Sequence, residues 1–469
     1  MSHQIETPAT RAEQIAALTA RLNRLPPSRT IWRLVVMLSL CGFFEIYEIA
    51  LTAFLSPGLI RDGIFDAGAK GLFGLTDQAG FAAATFAGLF IGAALFSSVA
   101  DRYGRRSVLT YSLLWYAIST VAMAAQNTAV AVDLWRLIAG IGVGVQLVTI
   151  DSYLAELVPK TVRGKAFAVS YGLMYLGVPT AALLCWWMLP NHPPLMAGWR
   201  WVALFAALAV AVVLWVRRVL PESPRWLLQR GQLEAAEQVV ASIEAGVASD
   251  LQGPLPLPQV AAPPTEGAAG LAELLRPGYR RRTLMLLALN IFQALGFYGF
   301  SNWVPTLLAS QGVTFVKSLE YSFAIAIVYP IAPFLIALFA DRFEAKWQIV
   351  AGALGTAVFG LAFARQSSPV MLVALGVLIT VSNILLSYSY HAYQTSLYPT
   401  RIRARAVGFV YSFSRLATVL SGFAIAIVLR DFGTTGVFAF IALCMLVVVI
   451  AVGVFGPPTR GLTLEESSQ

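Results

Sequence analysis

Four charged side chains stand inside long apolar runs: Glu45, Glu48, Arg136 and Arg415. A charge within hydrocarbon is costly and is usually paired or functional. Glu45 and Glu48 are three residues apart, so they share one face of a helix. At a rise of ~1.5 Å per residue they lie ~20 Å from a helix start near Trp32. Arg136 lies on a helix running the other way, ~20 Å from the same face of a ~30 Å core. The depths coincide, which predicts one shared cavity and at least one ion pair. Two close carboxylates in such a place resist ionising together, so one is suited to carry a proton while Arg136 neutralises the other. The competing reading is a buried charge cluster that only fixes helix packing.

Arg415 is ~17 Å into its own run, with no acid nearby in that helix. An unpaired guanidinium there suits an anion, and a planar carboxylate fits its fork with two hydrogen bonds. Pairing with backbone carbonyls or with an acid from the other half is the alternative. Aromatic and amide side chains fall on the helices expected to line the cavity. They are Tyr47, Tyr171, Tyr175, Gln293, Tyr298, Asn302, Trp303, Asn383 and Tyr388, and with Arg415 they would suit a small flat ring bearing a carboxylate. His391 is expected to make a local hydrogen bond. Asp133 falls near the outer end of its run, and Asp151 lies deeper in the same helix as an open candidate.

The elements that must position these groups are membrane helices. Of 469 residues 58% are hydrophobic and 12% charged, with a mean hydropathy of +0.71, too little charge to cover a soluble chain of this length. Apolar runs of about 20 residues match a bilayer core. Twelve spans are predicted, beginning near Trp32, Phe81, Val108, Ala129, Ala166, Trp201, Thr283, Ser318, Trp347, Pro369, Ala404 and Thr435. The first ~30 residues lack the apolar core of a cleaved leader; Ile15 to Leu22 suit a short amphipathic helix at the membrane interface or a solvated tail. Alternating the loops leaves 25 of the 33 Lys and Arg on the side of the N-terminus, which places both termini in the cytoplasm and argues against a nucleic-acid face. Cys41, Cys185 and Cys444 lack metal or disulfide spacing, and no cofactor or metal site is expected.

The chain repeats. Asp101-Arg102-Tyr103 recurs as Asp341-Arg342-Phe343, and Tyr153, Pro159 and Arg163 recur as Tyr393, Pro399 and Arg403, every pair 240 positions apart. Parallel repeats of this kind put a substrate site at their interface. The expected divisions are an N-terminal segment 1–30, a six-helix bundle 31–217, a cytoplasmic linker 218–282 with short helices, a second six-helix bundle 283–456 and a tail 457–469. Arg136 with Gly140, Gly142 and Gly144 suggests close helix approach. Charged turns are candidate gates that lock one conformation and release in another: Asp101, Arg102, Arg105, Arg106, Glu156, Arg163, Glu222, Arg225, Asp341, Arg342 and Arg403.

The run Asp101 to Arg106, the Tyr153-x-x-Glu156-x-x-Pro159-x-x-x-Arg163-Gly164 pattern, Pro221 to Leu227 and the ending Thr459 to Glu466 together resemble the major facilitator superfamily over nearly the whole chain. Arg21 to Pro26 and Phe43 to Glu48 are similar to its metabolite:proton symporters, the group of niacin and aromatic-acid permeases and organic-anion transporters. The resemblance implies an all-α fold of two pseudo-symmetric six-helix bundles. It also implies alternating-access symport of a small organic anion with protons, nicotinate first and other aromatic acids next, by a monomer in the bacterial inner membrane. Departures are Ser97 for a Gly, Glu344-Ala345-Lys346 for Gly-Arg-Arg, and Ser396 where the second half would repeat Glu156, so the second gate is expected to rely less on charge pairs. A sugar or polyol porter of the same fold and a transporter-like receptor are the alternatives. An enzyme is not expected, since no nucleophile and base or metal arrangement is visible.

Overall fold

The computed structural model describes residues 8–66, 76–95, 102–191, 193–258, 274, 276–340, 342–398 and 400–458. Ten of its helices are long and apolar enough to cross a membrane. One of them is two helices joined across a kink at Gly433, whose φ is 64°, and Asp77–Leu95 supplies a further apolar helix. Twelve spans result among the described residues. In the first half they are Arg29–Phe54, Asp77–Leu95, Arg105–Ala124, Ala129–Leu157, Arg163–Met188 and Gly198–Val219. In the second they are Pro277–Ser301, Phe315–Ala340, Ala345–Phe363, Pro369–Ser396 and the two parts of Thr400–Phe455.

Local chemistry marks the helix starts. Ser28 and Thr128 cap the first and fourth spans by accepting the amides of Ile31 and Ala131, each at 3.4 Å, as N-caps do. Spans 5 and 8 are both broken near the middle, at Leu176 and at Ile327. Pro179 and Pro330 follow these breaks, and each removes one amide from the helical ladder. Spans 2 and 4 meet backbone to backbone: a Cβ on Gly88 would lie 2.2 Å from the Leu137 carbonyl oxygen, and one on Gly144 2.2 Å from that of Leu89.

The halves touch through span 2 against span 11 and span 5 against span 8. At the end away from the linker, Gln78 Nε2 donates to Thr306 Oγ1 at 2.5 Å, Arg61 lies over Phe315 at 5.5 Å, and Trp186 stacks on Phe323 at 5.7 Å. At mid-depth Tyr175 meets Tyr329 at 6.1 Å and Phe86 meets Tyr298 at 5.3 Å. At the linker end each half makes the same polar contact within itself. Tyr153 donates its hydroxyl to the Pro221 carbonyl, and its repeat Tyr393 donates to that of Pro457 at 2.9 Å, so the 240-residue offset has a structural counterpart.

The N-terminal helix Pro8–Asn23 does not stand free. It packs on the linker helices Pro224–Gln229 and Leu233–Leu251 and buries Leu18 and Leu22 in the core of the first half. Glu244 clamps it, accepting from Arg21 Nη2 at 2.6 Å and Arg24 Nη2 at 2.7 Å. Burial alone would raise the Glu244 carboxyl, but the hydrogen bonds from Arg21 and Arg24 hold it below its ordinary value. Its stabilising contribution is therefore present above the unfolded-state carboxylate range and lost as pH falls through the lower folded value. Glu244→Gln is expected to cost about 2 kcal/mol, the scale of hydrogen bonds to a charged group. It should also flatten the acid limb of the melting temperature against pH; an unchanged acid limb would exclude the clamp.

Candidate functional site

Glu48 and Arg136 form the predicted ion pair. Arg136 Nη1 to Glu48 Oε2 is 2.5 Å, with the side chains 2% and 1% exposed. The remaining valences are filled: Arg136 Nε donates to Thr85 Oγ1 at 3.0 Å, and Nη2 to Thr52 Oγ1 at 3.1 Å and to the Glu48 carbonyl. Thr120 Oγ1 donates to Glu48 Oε1 at 2.6 Å, and the guanidinium lies over the Phe81 ring at 5.1 Å. Spans 1 to 4 are thus tied around one buried pair. Glu45 is not part of it. Also 1% exposed, it leaves Oε2 without a hydrogen-bond partner among the described residues and sits within electrostatic reach of Asp151 and Arg415 instead.

Arg415, half-buried, projects from span 11 to the cavity between the halves, which Ile49, Phe86, Leu89, Phe90, Tyr298 and Thr418 also line. Among the described residues no carboxylate lies within ion-pair distance of it. Its partners are tyrosines: Nη1 donates to the Tyr298 hydroxyl at 3.4 Å, Nη2 to that of Tyr411, and the guanidinium lies 4.6 Å from the Tyr411 ring centre. Nε has no partner. Within the first half, the Tyr171 hydroxyl is 2.9 and 3.1 Å from the two Asp151 oxygens. Tyr171 stacks on Tyr175 at 6.2 Å, which leads to Tyr329. Asp151 and Arg415 are within electrostatic reach of one another, with no ion pair between them among the described residues.

Of the expected cavity tyrosines, Tyr298 lines the cleft beside Arg415, and Tyr171 and Tyr175 stack on each other on span 5. Tyr388, 40% exposed, shares a helix face with His391, whose ring is 5.6 Å from that of Tyr411 and whose Nδ1 makes a local contact with Gln394 at 3.5 Å. Gln293 is buried on span 7. Three expectations need correction. Tyr47 is fully buried in the first half, its hydroxyl donating to the Val202 carbonyl at 2.6 Å. Asn383 accepts from Thr356 at 3.2 Å and joins spans 9 and 10 within the second half. Asn302 and Trp303 lie beyond the end of span 7, Trp303 in a separate cleft at the far end with Gln78 and Arg430. Tyr411, Tyr329 and Tyr390 were not singled out, although Tyr411 precedes Arg415 by four residues, the spacing that stacks side chains on a helix.

Among the gate candidates, Arg105 Nη2 pairs with Glu156 at 3.2 Å. Glu222 Oε1 accepts the amides of Arg105, Arg106 and Ser223 at 2.9, 3.1 and 2.9 Å, filling the donors that a helix N-terminus leaves open. Gly104, at φ 92°, makes room, since a Cβ there would fall 2.4 Å from Glu222. Arg106 reaches the Arg217 carbonyl, and Arg102 lies over Tyr103. Arg163 donates to the Val158 carbonyl at 3.2 Å and has the Arg225 guanidinium nearby. Arg342 is exposed. Asp101, Asp341 and the Arg403 side chain lie outside the described residues. In the second half Lys346 donates to the Gly456 carbonyl at 2.8 Å, as its repeat Arg106 does to that of Arg217, while Ala345 and Ser396 stand where the first half pairs Arg105 with Glu156.

Two six-helix halves meeting around a cleft that holds Arg415 and Tyr298 have the architecture of a multi-pass membrane transporter. A family model described as sugar (and other) transporter matches residues 34–469, and the chain belongs to that family of the major facilitator superfamily. YyaJ of Bacillus subtilis (strain 168), named as a metabolite transport protein, is 31% identical over 94% of this chain and 95% of its own. The niacin transporter NiaP of Acinetobacter baylyi is 26% identical over 96% and 99%. The fold matches the xylose transporter XylE of E. coli in a partially occluded inward-open conformation, with a TM-score of 0.73 at 22% identity, covering 93% of this chain and all of that one.

Proposed function

We propose that the protein is a proton-coupled symporter of a small aromatic carboxylate such as nicotinate, working as a monomer by alternating access in the bacterial inner membrane with both termini cytoplasmic. The observation that carries this reading is Arg415, a cation inside the membrane with tyrosine hydroxyls for partners and no acid in contact among the described residues. A carboxylate supplies the missing charge, and the ring it carries stacks against the surrounding tyrosines. The niacin transporter among the relatives supports the substrate class. Glu48 is fully engaged by Arg136 and Thr120, so Glu45, with an unpartnered oxygen and Arg415 within electrostatic reach, is the acid suited to take up a proton. Proton on Glu45 and carboxylate on Arg415 together remove the charges that hold the halves in place, and the cavity can then open to the other side.

Uptake of labelled nicotinate into proteoliposomes is expected to rise about tenfold or more with an inward proton gradient. Glu45→Gln should abolish that stimulation while nicotinate exchange at equal pH persists. No stimulation in the wild type would exclude symport. The family's description and the xylose transporter's fold favour a second reading, a sugar porter; accumulation of labelled xylose in place of nicotinate would establish it.

A further inference from the structure

One carboxylate in the first half has no role in the scheme above. Asp133, near the far end of span 4, is 0% exposed, and neither of its oxygens has a hydrogen-bond partner among the described residues. Arg136 is one turn deeper on the same helix, but its nitrogens are engaged by Glu48, Thr52 and Thr85. The charged group that faces Asp133 from span 2 is Asp77, 4% exposed and itself accepting the Asp66 amide at 2.8 Å. An ionised carboxylate out of water, without a donor and beside a second carboxylate, would cost several kcal/mol. The surroundings are those of a neutral carboxylic acid.

The neighbourhood also gives this acid a route and a switch. The far-end cleft is lined by Asp66, Thr76 and Gln78, the residues that bracket Asp77 in space and sequence. Gln78 is the residue whose amide reaches Thr306 of the other half. Parting the halves at the far end breaks that contact and opens the cleft next to Asp77 and Asp133.

We infer that Asp133 is a second proton-binding site of the transport cycle, loaded from the far side when the Gln78–Thr306 contact opens and occluded with its proton in the conformation seen here. This rests on the symport reading. A neutral Asp133 is compatible with closure, and an ionised one is not, so the far end closes only after a proton has arrived. Arg136 lies between Asp133 and Glu45 in depth, with the hydroxyls of Thr52, Thr85 and Thr120 around it, so the proton site at the far end and the one at the cavity are separated by the buried ion pair.

The test compares wild type, Asp133→Asn, Asp77→Asn and Glu45→Gln in proteoliposomes. Asp133→Asn is expected to lose at least tenfold in gradient-driven accumulation and its response to external pH, while counterflow persists. The infrared band of a protonated carboxyl present in the wild type should be missing from Asp133→Asn. Asp77→Asn removes the negative charge that favours the neutral acid and should move the external-pH profile of accumulation to lower pH. Wild-type accumulation by Asp133→Asn, or an unaltered carboxyl band, overturns the proposal while leaving the symport reading intact if Glu45→Gln still uncouples. A wild type indifferent to the gradient overturns both. If Asp133→Asn shows no counterflow, an unmoved Asp77→Asn profile overturns the proposal and a moved one supports it.

Discussion

Arg415→Ala is expected to reduce apparent affinity for nicotinate by about 100-fold or more, because it leaves a desolvated carboxylate without its cation. Breaking a buried charge pair by removing one partner costs about 3–5 kcal/mol, and each ~1.4 kcal/mol is tenfold in binding. The tyrosines compensate only in part, since the Tyr298 and Tyr411 hydroxyls that accept from the guanidinium can offer a carboxylate hydrogen bonds but no positive charge. Arg415→Lys keeps the charge but loses the planar fork, so an intermediate loss of about tenfold is expected. The measurement is concentration-dependent uptake and counterflow of nicotinate in proteoliposomes, with xylose as the control. An alanine variant that transports nicotinate normally would end the anion reading. A sugar porter would be indifferent to the substitution, since an uncharged substrate brings no group that requires a cation.

The second large effect is on the fold. Arg136→Ala leaves Glu48 buried with only Thr120 to donate to it, and Glu48→Ala leaves a guanidinium facing hydroxyls and a backbone carbonyl. Each single change is expected to cost about 3–5 kcal/mol, whereas replacing both with apolar residues of similar volume should recover most of the loss. Thermal unfolding in detergent of Glu48→Leu, Arg136→Met and the Glu48→Leu/Arg136→Met double variant gives the coupling directly. Additive losses, with no recovery in the double variant, would mean that the pair does not hold spans 1 to 4 together. The same comparison separates packing from coupling. Glu48 and Arg136 variants should lose expression and transport together, and Glu45→Gln should lose the gradient response alone.

The Glu48–Arg136 contact was legible in the sequence because it depends only on helix rise and direction, which fix depth. Which side of a span a residue occupies is another matter. In an apolar helix the lipid face, the packed face and the cavity face are all hydrophobic, so periodicity does not separate them. Tyr47 and Asn383 were therefore assigned to the cavity when one bonds to Val202 and the other to Thr356 inside their own halves. Trp303 was misplaced because Asn302 and Trp303 follow the last turn of span 7 and Pro305 starts a new helix. The sequence places Asp133 only by depth, and the packing of span 2 against span 4 reveals that its carboxyl meets no donor among the described residues. The two-half plan was legible for the opposite reason. Tyr153 and Tyr393 each reach a carbonyl just beyond the sixth span of their own half, 68 and 64 residues on, and the loop motifs that carry them repeat at one offset of 240.

Spans 2 and 4, touching at Gly88 and Gly144 with no side chain between them, have a mechanical consequence. Helices in backbone contact cannot slide or tilt against each other without a clash, so the first half behaves as a stiff lever and the fulcrum lies outside it, at the seams of span 2 with 11 and span 5 with 8. A rocking of about 15° over half of a ~30 Å membrane moves each lever tip by about 4 Å. Two tips moving apart then open a slot wide enough to admit a flat ring edge-on.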